Sequence, residues 1–284
     1  MKISEQCLAC LVNQAVKTAN LIGAANREEL YKKIFSRMSN LDFSKTNPEI
    51  VGENFRLIKE HTGCTDPYRE TKQYYNRLFT ERMSEYEKNM HTTEDIVKYA
   101  IVANIIDFNP VHGNVEEDIK TYFSDIDQLE LTINDTDKLA ADIQNAKSIL
   151  YLGDNCGEIC FDKLLIKKIK EINPQCDIYF GVRGEAVVND NTEEDAYFVG
   201  MDEVAMIVNN GDYSLGTILS RTSAEFQRIF QEADVVIAKG QANYESLSEE
   251  KNNIYFLLMT KCKVIADDIG TKEKALVCMK SRLV

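Results

Sequence analysis

The spacing of apolar residues divides the chain near residue 133. Before that point apolar residues recur at helical spacing, with polar residues between them. Helices are predicted over residues 7–22, 30–38, 74–83 and 96–106. Pro48 and Pro67 mark breaks at which further helices can begin. We therefore predict a helical domain over residues 1–132.

After residue 133 short apolar runs alternate with helical segments. The runs fall at 149–152, 178–182, 235–237, 254–258 and 264–266, and each is short enough for a buried strand. Helices are predicted after Asp135 and over 160–172 and 224–232. Such alternation is typical of a parallel sheet covered by helices. We predict an α/β domain over residues 133–284, with the helical domain packed on the carboxyl edge of its sheet.

Charge and cysteine content limit the partners and the compartment. The chain has 284 residues and a net charge of -13, which argues against nucleic acid or an anionic membrane as a partner. The net charge is nevertheless compatible with a small anionic substrate, because lysines or a metal can outweigh it locally. No segment approaches the roughly 20 apolar residues of a membrane span, and the N-terminus lacks an apolar signal core. Eight scattered cysteines favour a cytoplasmic protein with reduced thiols.

The first candidate site follows the apolar run 149–152. Asp154 and Asn155 stand where that strand ends, and a helical pattern begins after Glu158. Ligands of open parallel sheets bind at the carboxyl ends of strands, where the amides of a helix start favour an anion. A carboxylate beside an amide suits a hard cation. The alternative is that Asp154 or Asn155 only caps the following helix.

Two further loops follow predicted strands. Asp190 lies after the run 178–182 and could supply a second metal carboxylate, whereas Asp195 completes the pattern of a helix capping box with Thr192. Lys239 and Gly240 end the run 235–237 and could form a phosphate cradle, although the Walker A spacing is missing. A solvated turn with a surface lysine is the alternative for this third loop.

Several residues outside these loops are also candidates. Asn104 and Asp107 lie three residues apart in an apolar helical run, so they either bond neighbouring helices or face a cleft between helices and sheet. Cys7 and Cys10 form a CxxC motif that, with the distant Cys64, could be a soft-metal or redox site or simply buried thiols. Cys156 lies in the first loop and could be a nucleophile, but no histidine has a suitable spacing.

These stretches together resemble the metal-dependent damage-control phosphatase family, long catalogued as domain of unknown function 89. The resemblance covers nearly the whole chain. It is carried by Asp154-Asn155-x-Gly157-Glu158, by Asn189-Asp190-x-Thr192-x-x-Asp195, and by Lys239-Gly240-Gln241-x-Asn243-Tyr244-Glu245. The N-terminal CxxC is similar to the prokaryotic branch. Two departures are Ala103, where the family usually has Gly, and Leu215, where Pro often precedes the Gly216 position.

The resemblance implies a Rossmann-like three-layer α/β/α domain with an N-terminal helical domain over the strand ends. It also implies a divalent-metal phosphatase acting on small phosphorylated metabolites. The implied metal ligands are Asp154, Asn155 and Asp190, and Lys239 joins them as a catalytic residue. Substrate contacts are expected from Glu158, Asn104, Asp107, Gly240, Asn243 and Glu245. Because the ligand atoms are all oxygen, Mg or Mn is expected, with Co or Ni able to substitute.

Alternatives exist both for the group that attacks phosphorus and for the class of reaction. A metal-activated water is favoured over direct attack by Asp154 on phosphorus. A methyltransferase using S-adenosylmethionine is a second hypothesis, although such enzymes usually have a glycine-rich first loop where Asp154 and Asn155 stand here. A non-catalytic module that senses a metal or metabolite through Cys7 and Cys10 is the third hypothesis.

Overall fold

The computed structural model describes residues 1–104, 123–124 and 126–283. Within these residues seven strands form one sheet in the order β1-β7-β6-β5-β2-β3-β4. Their bounds are β1 Leu131–Asn134, β2 Ser148–Leu152, β3 Asp177–Val182, β4 Met206–Asn209, β5 Val235–Lys239, β6 Ile254–Met259 and β7 Leu276–Lys280.

Eleven helices of the described residues surround this sheet. Five precede it: α1 Cys7–Leu21, α2 Arg27–Met38, α3 Asn47–Thr62, α4 Arg69–Glu87 and α5 Thr93–Ala103. Six lie between strands: α6 Thr136–Asn145, α7 Ile159–Ile172, α8 Glu193–Phe198, α9 Ala224–Glu232, α10 Gly240–Leu247 and α11 Lys263–Ile269. None of the described helices is long and apolar enough to cross a membrane.

The predicted α/β fold is confirmed, with one correction to the strand directions. Strand β2 pairs in parallel with β3 and β5, and β4 and β6 extend this parallel set on either side. Strand β7 runs antiparallel to β6, and β1 is parallel to β7. The sheet is therefore mixed, because β1 and β7 both run against the other five strands.

Two assignments along the α/β region differ from expectation. The run 264–266, predicted as a strand, lies in α11, where Ile265, Ala266 and Ile269 form one buried helix face. The strands β1, β4 and β7 were not predicted. Strand β1 is only four residues long and its polar Thr132 and Asn134 alternate with apolar residues, so it carries little apolar signal.

Side-chain alternation along the central strands creates two separate cores. On β2, Ile149 and Tyr151 join the core beneath α5 and α7, whereas Leu150 and Leu152 join the core beneath α9. Successive strand residues point to opposite faces, so a fully apolar strand fills both helix–sheet interfaces. The result is a three-layer arrangement with the loops that follow β2, β3 and β5 at one edge.

The N-terminal helices contact the sheet region in different places. Helix α3 packs on α1 and on α10, and α4 packs on α7 and α8. Helix α5 lies against β6 and β7 and so covers a sheet face. The boundary predicted after residue 132 falls inside β1, and the division into two domains stays a prediction.

A tight backbone crossing joins α3 to the loop before α9. A Cβ atom added at Gly52 of α3 would lie 2.7 Å from Ser214 Cα and 2.7 Å from Tyr213 O. The neighbouring Leu215 donates its backbone N–H to Pro48 O at 3.3 Å. Glycine is therefore required at this helix position by close backbone approach and not by helix geometry.

We predict that Gly52→Ala destabilises the protein. Helix propensity alone would stabilise an alanine variant by up to about 1 kcal/mol. The backbone overlap should outweigh this gain and lower the free energy of unfolding by about 1–3 kcal/mol. Chemical denaturation of the parent and the variant measures the difference, and a more stable variant would contradict the crossing described here.

Candidate metal and substrate site

The loops after β2 and β3 are joined to each other by backbone hydrogen bonds. Asn155 and Asp190 form an isolated antiparallel bridge. Next to it, Asn191 N donates to Asp154 O at 2.8 Å and Cys156 N donates to Asn189 O at 2.9 Å. This pairing places the side chains of Asp154, Asn155 and Asp190 side by side at the carboxyl edge of the sheet.

Each of these three side chains keeps one oxygen available for a further ligand. Asp154 Oδ2 accepts from Asn104 Nδ2 at 2.7 Å and from Asn155 Nδ2 at 3.1 Å. Asp190 Oδ2 accepts from Arg183 Nε at 2.7 Å. Because Asn155 donates through its nitrogen, its carbonyl oxygen stays available, as do Asp154 Oδ1 and Asp190 Oδ1 with respect to the hydrogen bonds of the described residues.

Such a set fits a hard divalent cation. Two carboxylate oxygens and one amide oxygen match the ligand preference of Mg²⁺ or Mn²⁺ and leave positions for water or a phosphoryl group. Burial raises the pKa of Asp154, and the nearby Glu158 raises it further. Burial raises the pKa of Asp190 to about 7, although Arg183 acts in the opposite direction. A cation at this position would favour the ionised form of both carboxyl groups.

Arg183 is a site residue that the sequence analysis missed. It follows β3 directly, and besides Asp190 it contacts Asp154 Oδ1 at 3.8 Å and Gly153 O at 3.2 Å. The guanidinium therefore balances part of the negative charge of the two carboxylates. Its position at a strand end was the available signal, the same one that identified Asp154 and Asp190.

The backbone amides of the first turn bond to protein acceptors and are not available to an anionic ligand, contrary to expectation. Asn155 N donates to Glu158 Oε2 at 3.2 Å, Cys156 N to Asn189 O at 2.9 Å, and Gly157 N to Asn76 Oδ1 at 2.6 Å. The prediction that these three amides bind phosphate is wrong, because protein acceptors already use them.

Lys239 and Glu158 meet beneath the turn. Both side chains are fully buried, and Lys239 Nζ donates to Glu158 Oε1, to Asp162 Oδ1 at 2.7 Å and to Ala100 O at 2.9 Å. Burial lowers the pKa of Lys239, but the two carboxylates outweigh it and raise the pKa above its usual range. The lysine is thus a buried cation whose three N–H donors all bond protein groups, so this position holds neither a lysine free to contact phosphate nor the surface lysine of a solvated turn.

Gly240 and Asn243 shape the floor of the site. Gly240 has a φ of +76°, and a Cβ there would overlap the carboxylate of Asp154. Asn243 Nδ2 donates to Lys239 O at 2.7 Å and to Gly153 O at 3.3 Å. Asn243 therefore ties the loop after β2 to the end of β5, and Gly240 leaves room for Asp154.

A cavity of about 210 Å³ opens above the three candidate ligands. Its sheet side includes Asp154, Asn155, Asp190 and Glu245, and Lys261 stands at the end of β6. Its helical side consists of Cys10, Gln14, Asn47 and Val51. Lys261 is the second site residue that the sequence analysis missed, and it lies two residues after the end of β6.

Two wider surface clefts, of about 600 Å³ and 710 Å³, lack this combination of groups. In the larger one the cations are already paired, Lys59 with Glu185 at 2.8 Å and Arg69 with Glu194 at 2.7 Å. The smaller cavity above Asp154 and Asp190 is the better candidate, because two buried carboxylates and the amide of Asn155 line it side by side.

The chain matches a known protein family over almost its whole length. The sequence model of the damage-control phosphatase ARMT1-like domain matches residues 3–277. The chain belongs to the damage-control phosphatase ARMT1-like domain family. The resemblance found in the sequence motifs is confirmed, whereas the assignment to a CxxC-bearing branch stays a prediction.

Individual relatives agree with this membership. A damage-control phosphatase of Pyrococcus horikoshii is 31% identical, covering 99% of this chain and 99% of the relative. A damage-control phosphatase of Archaeoglobus fulgidus is 32% identical, covering 95% and 96% respectively. The crystal structure of a DUF89 family protein from P. horikoshii superposes with a TM-score of 0.89 at 29% identity, covering 99% of this chain and 100% of that one.

Three further residues singled out in the sequence of this damage-control phosphatase family member are Asn104, Asp107 and Asp195. Asn104 contacts Asp154 and also donates to Glu158 Oε2 at 2.7 Å, and Asp107 lies outside the described residues. Asp195 accepts from Thr192 N and Oγ1, as the capping-box alternative predicted. Asp195 is therefore a helix cap, whereas Asn104 faces the candidate site.

The structure argues against two of the cysteine alternatives, a metal site of Cys7, Cys10 and Cys64 and a nucleophilic Cys156. No group of three or more His, Cys, Asp or Glu side chains suited to a metal occurs in the described part of the chain, so Cys64 does not complete such a site with Cys7 and Cys10. Cys156 is fully buried, and burial raises the pKa of its thiol well above the usual range. A thiol in that state is a poor nucleophile.

We predict that Gly240→Ala abolishes divalent-metal binding at Asp154. The added methyl group would displace the Asp154 carboxylate, and the positive φ adds backbone strain of about 1 kcal/mol. Gly270→Ala is the matched control, since Gly270 has a φ of +83° but its nearest neighbour, Arg282 Nη2, is 3.9 Å from the added atom.

Thermal unfolding with and without Mn²⁺ measures both effects. Both variants should unfold at a lower temperature than the parent. If Mn²⁺ binds at Asp154 and raises the unfolding temperature of the parent, only the Gly270 variant should show the same increase. Equal metal-induced increases in the two variants would mean that Gly240 does not make room for a metal ligand.

Proposed function

We propose that this chain is a divalent-metal-dependent phosphatase that hydrolyses small phosphorylated metabolites, sugar phosphates among them. The observation that carries the proposal is the arrangement of Asp154, Asn155 and Asp190, which line one cavity together with Lys261. Oxygen ligands for a cation, beside a lysine without an ion pair among the described residues, are the two features that binding a phosphate ester requires. The names of the relatives support the same activity.

The proposed metal ligands are Asp154, Asn155 and Asp190, with Mg or Mn bound and Co or Ni able to substitute. A divalent cation held there would neutralise charge on the phosphoryl oxygens and make a water molecule more acidic. Arg183 is nearly fully buried and contacts both carboxylates, so it can fix their orientation. Asn104 and Asn155 fix the other oxygen of Asp154.

Lys261 is proposed to bind the phosphate. It is the lysine of the cavity wall, and its charge lowers the pKa of Asp154, which places it within electrostatic reach of that carboxylate. Its backbone N–H donates to Gln241 Oε1 at 3.1 Å, which orients the loop after β6. A flexible ammonium group at this point can follow the phosphoryl oxygens as charge develops on them.

The rest of the cavity is suited to a leaving group that carries hydroxyls. Amide side chains of Gln14, Asn47, Asn189 and Gln241 line it together with Glu245. Asn47 Oδ1 is buried without a hydrogen-bond partner among the described residues, and Glu245 accepts from Gln241 Nε2 at 3.0 Å. Amides and a carboxylate bond hydroxyl groups, and about 210 Å³ limits the ester to a compact one.

The comparisons favour this proposal over the methyltransferase and the sensing module. The two relatives cited above are named phosphatases, and the matching family is named for damage-control phosphatases. At the first loop, Asp154 and Asn155 present acidic and amide oxygens, which suits a cation better than a neutral amino-acid cofactor.

The proposal predicts metal-dependent hydrolysis that Asp154→Asn removes. Sugar and cofactor phosphates are tested with Mg, Mn, Co and Ni and with chelator. Losing one carboxylate ligand should lower kcat/KM by more than about 100-fold, because it weakens metal binding and charge neutralisation. Asp267→Asn is the control, since Asp267 is exposed and pairs with Lys263.

Phosphate release equal in chelator and in metal would contradict a metal-dependent phosphatase. Methyl transfer without phosphate release would favour the second hypothesis instead. Unchanged kcat/KM in the Asp154 variant would remove that residue from the proposed ligand set.

A further prediction separates two neighbouring lysines. Lys261→Ala should raise KM and lower kcat, together lowering kcat/KM by about 100-fold, because it removes the proposed phosphate cation. Lys263→Ala is the matched control, since Lys263 lies two residues away and pairs with Asp267 at 2.8 Å. Steady-state kinetics on one good substrate measures both, and an equal effect of the two substitutions would contradict a specific role for Lys261.

A further inference from the structure

The 154–158 turn, the first metal loop, is held from the helical side by two side-chain amides, that of Asn104 after α5 and that of Asn76 of α4. Asn76 of α4 is 1% exposed, and its Oδ1 accepts the backbone N–H of Gly157 at 2.6 Å. Gly157 has a φ of +78° and lies two residues after Asn155. The amide therefore contacts the turn at the point where its backbone is left-handed and leads into α7.

The same side chain reaches the second metal loop. Asn76 Nδ2 donates to Asp195 Oδ1 at 3.2 Å. Asp195 Oδ2 in turn accepts from Thr192 N at 3.0 Å and from Lys72 Nζ at 2.9 Å. Thr192 lies two residues after Asp190, so this chain of bonds runs from α4 into the loop that carries Asp190.

Lys72 forms ion pairs that hold Asp195 next to Asn76. Lys72 is 3% exposed and also pairs with Asp66 Oδ2 at 2.8 Å, just before α4. Both partners of Asn76 are therefore buried groups with fixed positions. Without the amide, Gly157 N and Asp195 Oδ1 would each lose a hydrogen bond in a buried environment, which favours movement of both loops.

We propose that Asn76 is a positioning residue that fixes the 154–158 turn relative to the Asp190 loop and so sets the geometry of the metal ligands. The inference rests on the proposed metal site for its functional consequence. Its structural part, the hold on the Gly157 amide, is independent of that site. Groups that orient ligands without touching the metal commonly change metal affinity by about 10- to 100-fold.

The test compares Asn76→Ala with Asn173→Ala in the full chain. Asn173 is a matched control, because its Nδ2 also bonds protein oxygens, Ile143 O at 2.9 Å and Ala146 O at 2.7 Å, at the ends of β2 and α7 opposite the 154–158 turn. Hydrogen exchange of the Gly157 amide is measured without metal, and Mn²⁺ affinity is measured by calorimetry. If the Ala variant does not fold, Asn76→Ser replaces it, since serine is too short to keep both bonds.

Asn76→Ala should speed exchange of the Gly157 amide at least about tenfold and weaken Mn²⁺ binding about tenfold. Asn173→Ala should change neither, even if both variants lose stability. Unchanged exchange at Gly157 would overturn the inference. Faster exchange with unchanged Mn²⁺ affinity would overturn the functional part of the inference. If the parent itself binds no Mn²⁺, the proposed metal site is refuted, and the exchange result alone decides the structural part.

Discussion

The site depends on holding two carboxylates close together away from water. Asp154 and Asp190 are both nearly fully buried, and two like charges in that environment repel unless other groups compensate. Arg183 supplies one positive charge, and Asn104 and Asn155 supply N–H groups. The arrangement still leaves an excess of negative charge facing the cavity. The proposed divalent cation would balance that excess, and the surrounding loops and hydrogen bonds keep the two carboxylates in place.

The compensation reaches well beyond the ligands. Glu158 accepts from Asn104, from Asn155 and from Lys239, and Lys239 is also bonded to Asp162. These groups form a buried polar layer that supports the turn from below. Such networks are stabilising only when nearly every member is satisfied, so removal of one charge is costly. The helical side adds a second support, in which α4 reaches both loops through Asn76.

Sequence reasoning identified the loops because parallel strands end at one edge of a sheet. Asp154 and Gly240 lie within two residues of the ends of β2 and β5, Asp190 lies in the loop after β3, and the structure brings them together. Arg183 and Lys261 also lie within two residues of a strand end, but neither belongs to a motif of the family resemblance. Asn76 could not be found this way, since its partners lie 81 and 119 residues away in the chain. The prediction of a parallel sheet was also wrong at β7, because no local sequence feature distinguishes an antiparallel strand from a parallel one.

The alternation of side chains along β5 explains why Lys239 is buried, which its sequence motif alone does not predict. It lies on β5 in phase with Val235 and Ile237, both of which face the core beneath α5 and α7. Side chains two residues apart point to the same face, so Lys239 enters that core and does not point off the strand end. Lys261 lies beyond the last residue of β6 and reaches the cavity.

The most direct test of the account is the position of the metal. Crystals grown with Mn²⁺ and examined by anomalous scattering should show one strong peak between Asp154, Asn155 and Asp190, at about 2.0–2.3 Å from one oxygen of each. A peak at Cys7 and Cys10, or none near the three oxygens at saturating Mn²⁺, would contradict the central claim.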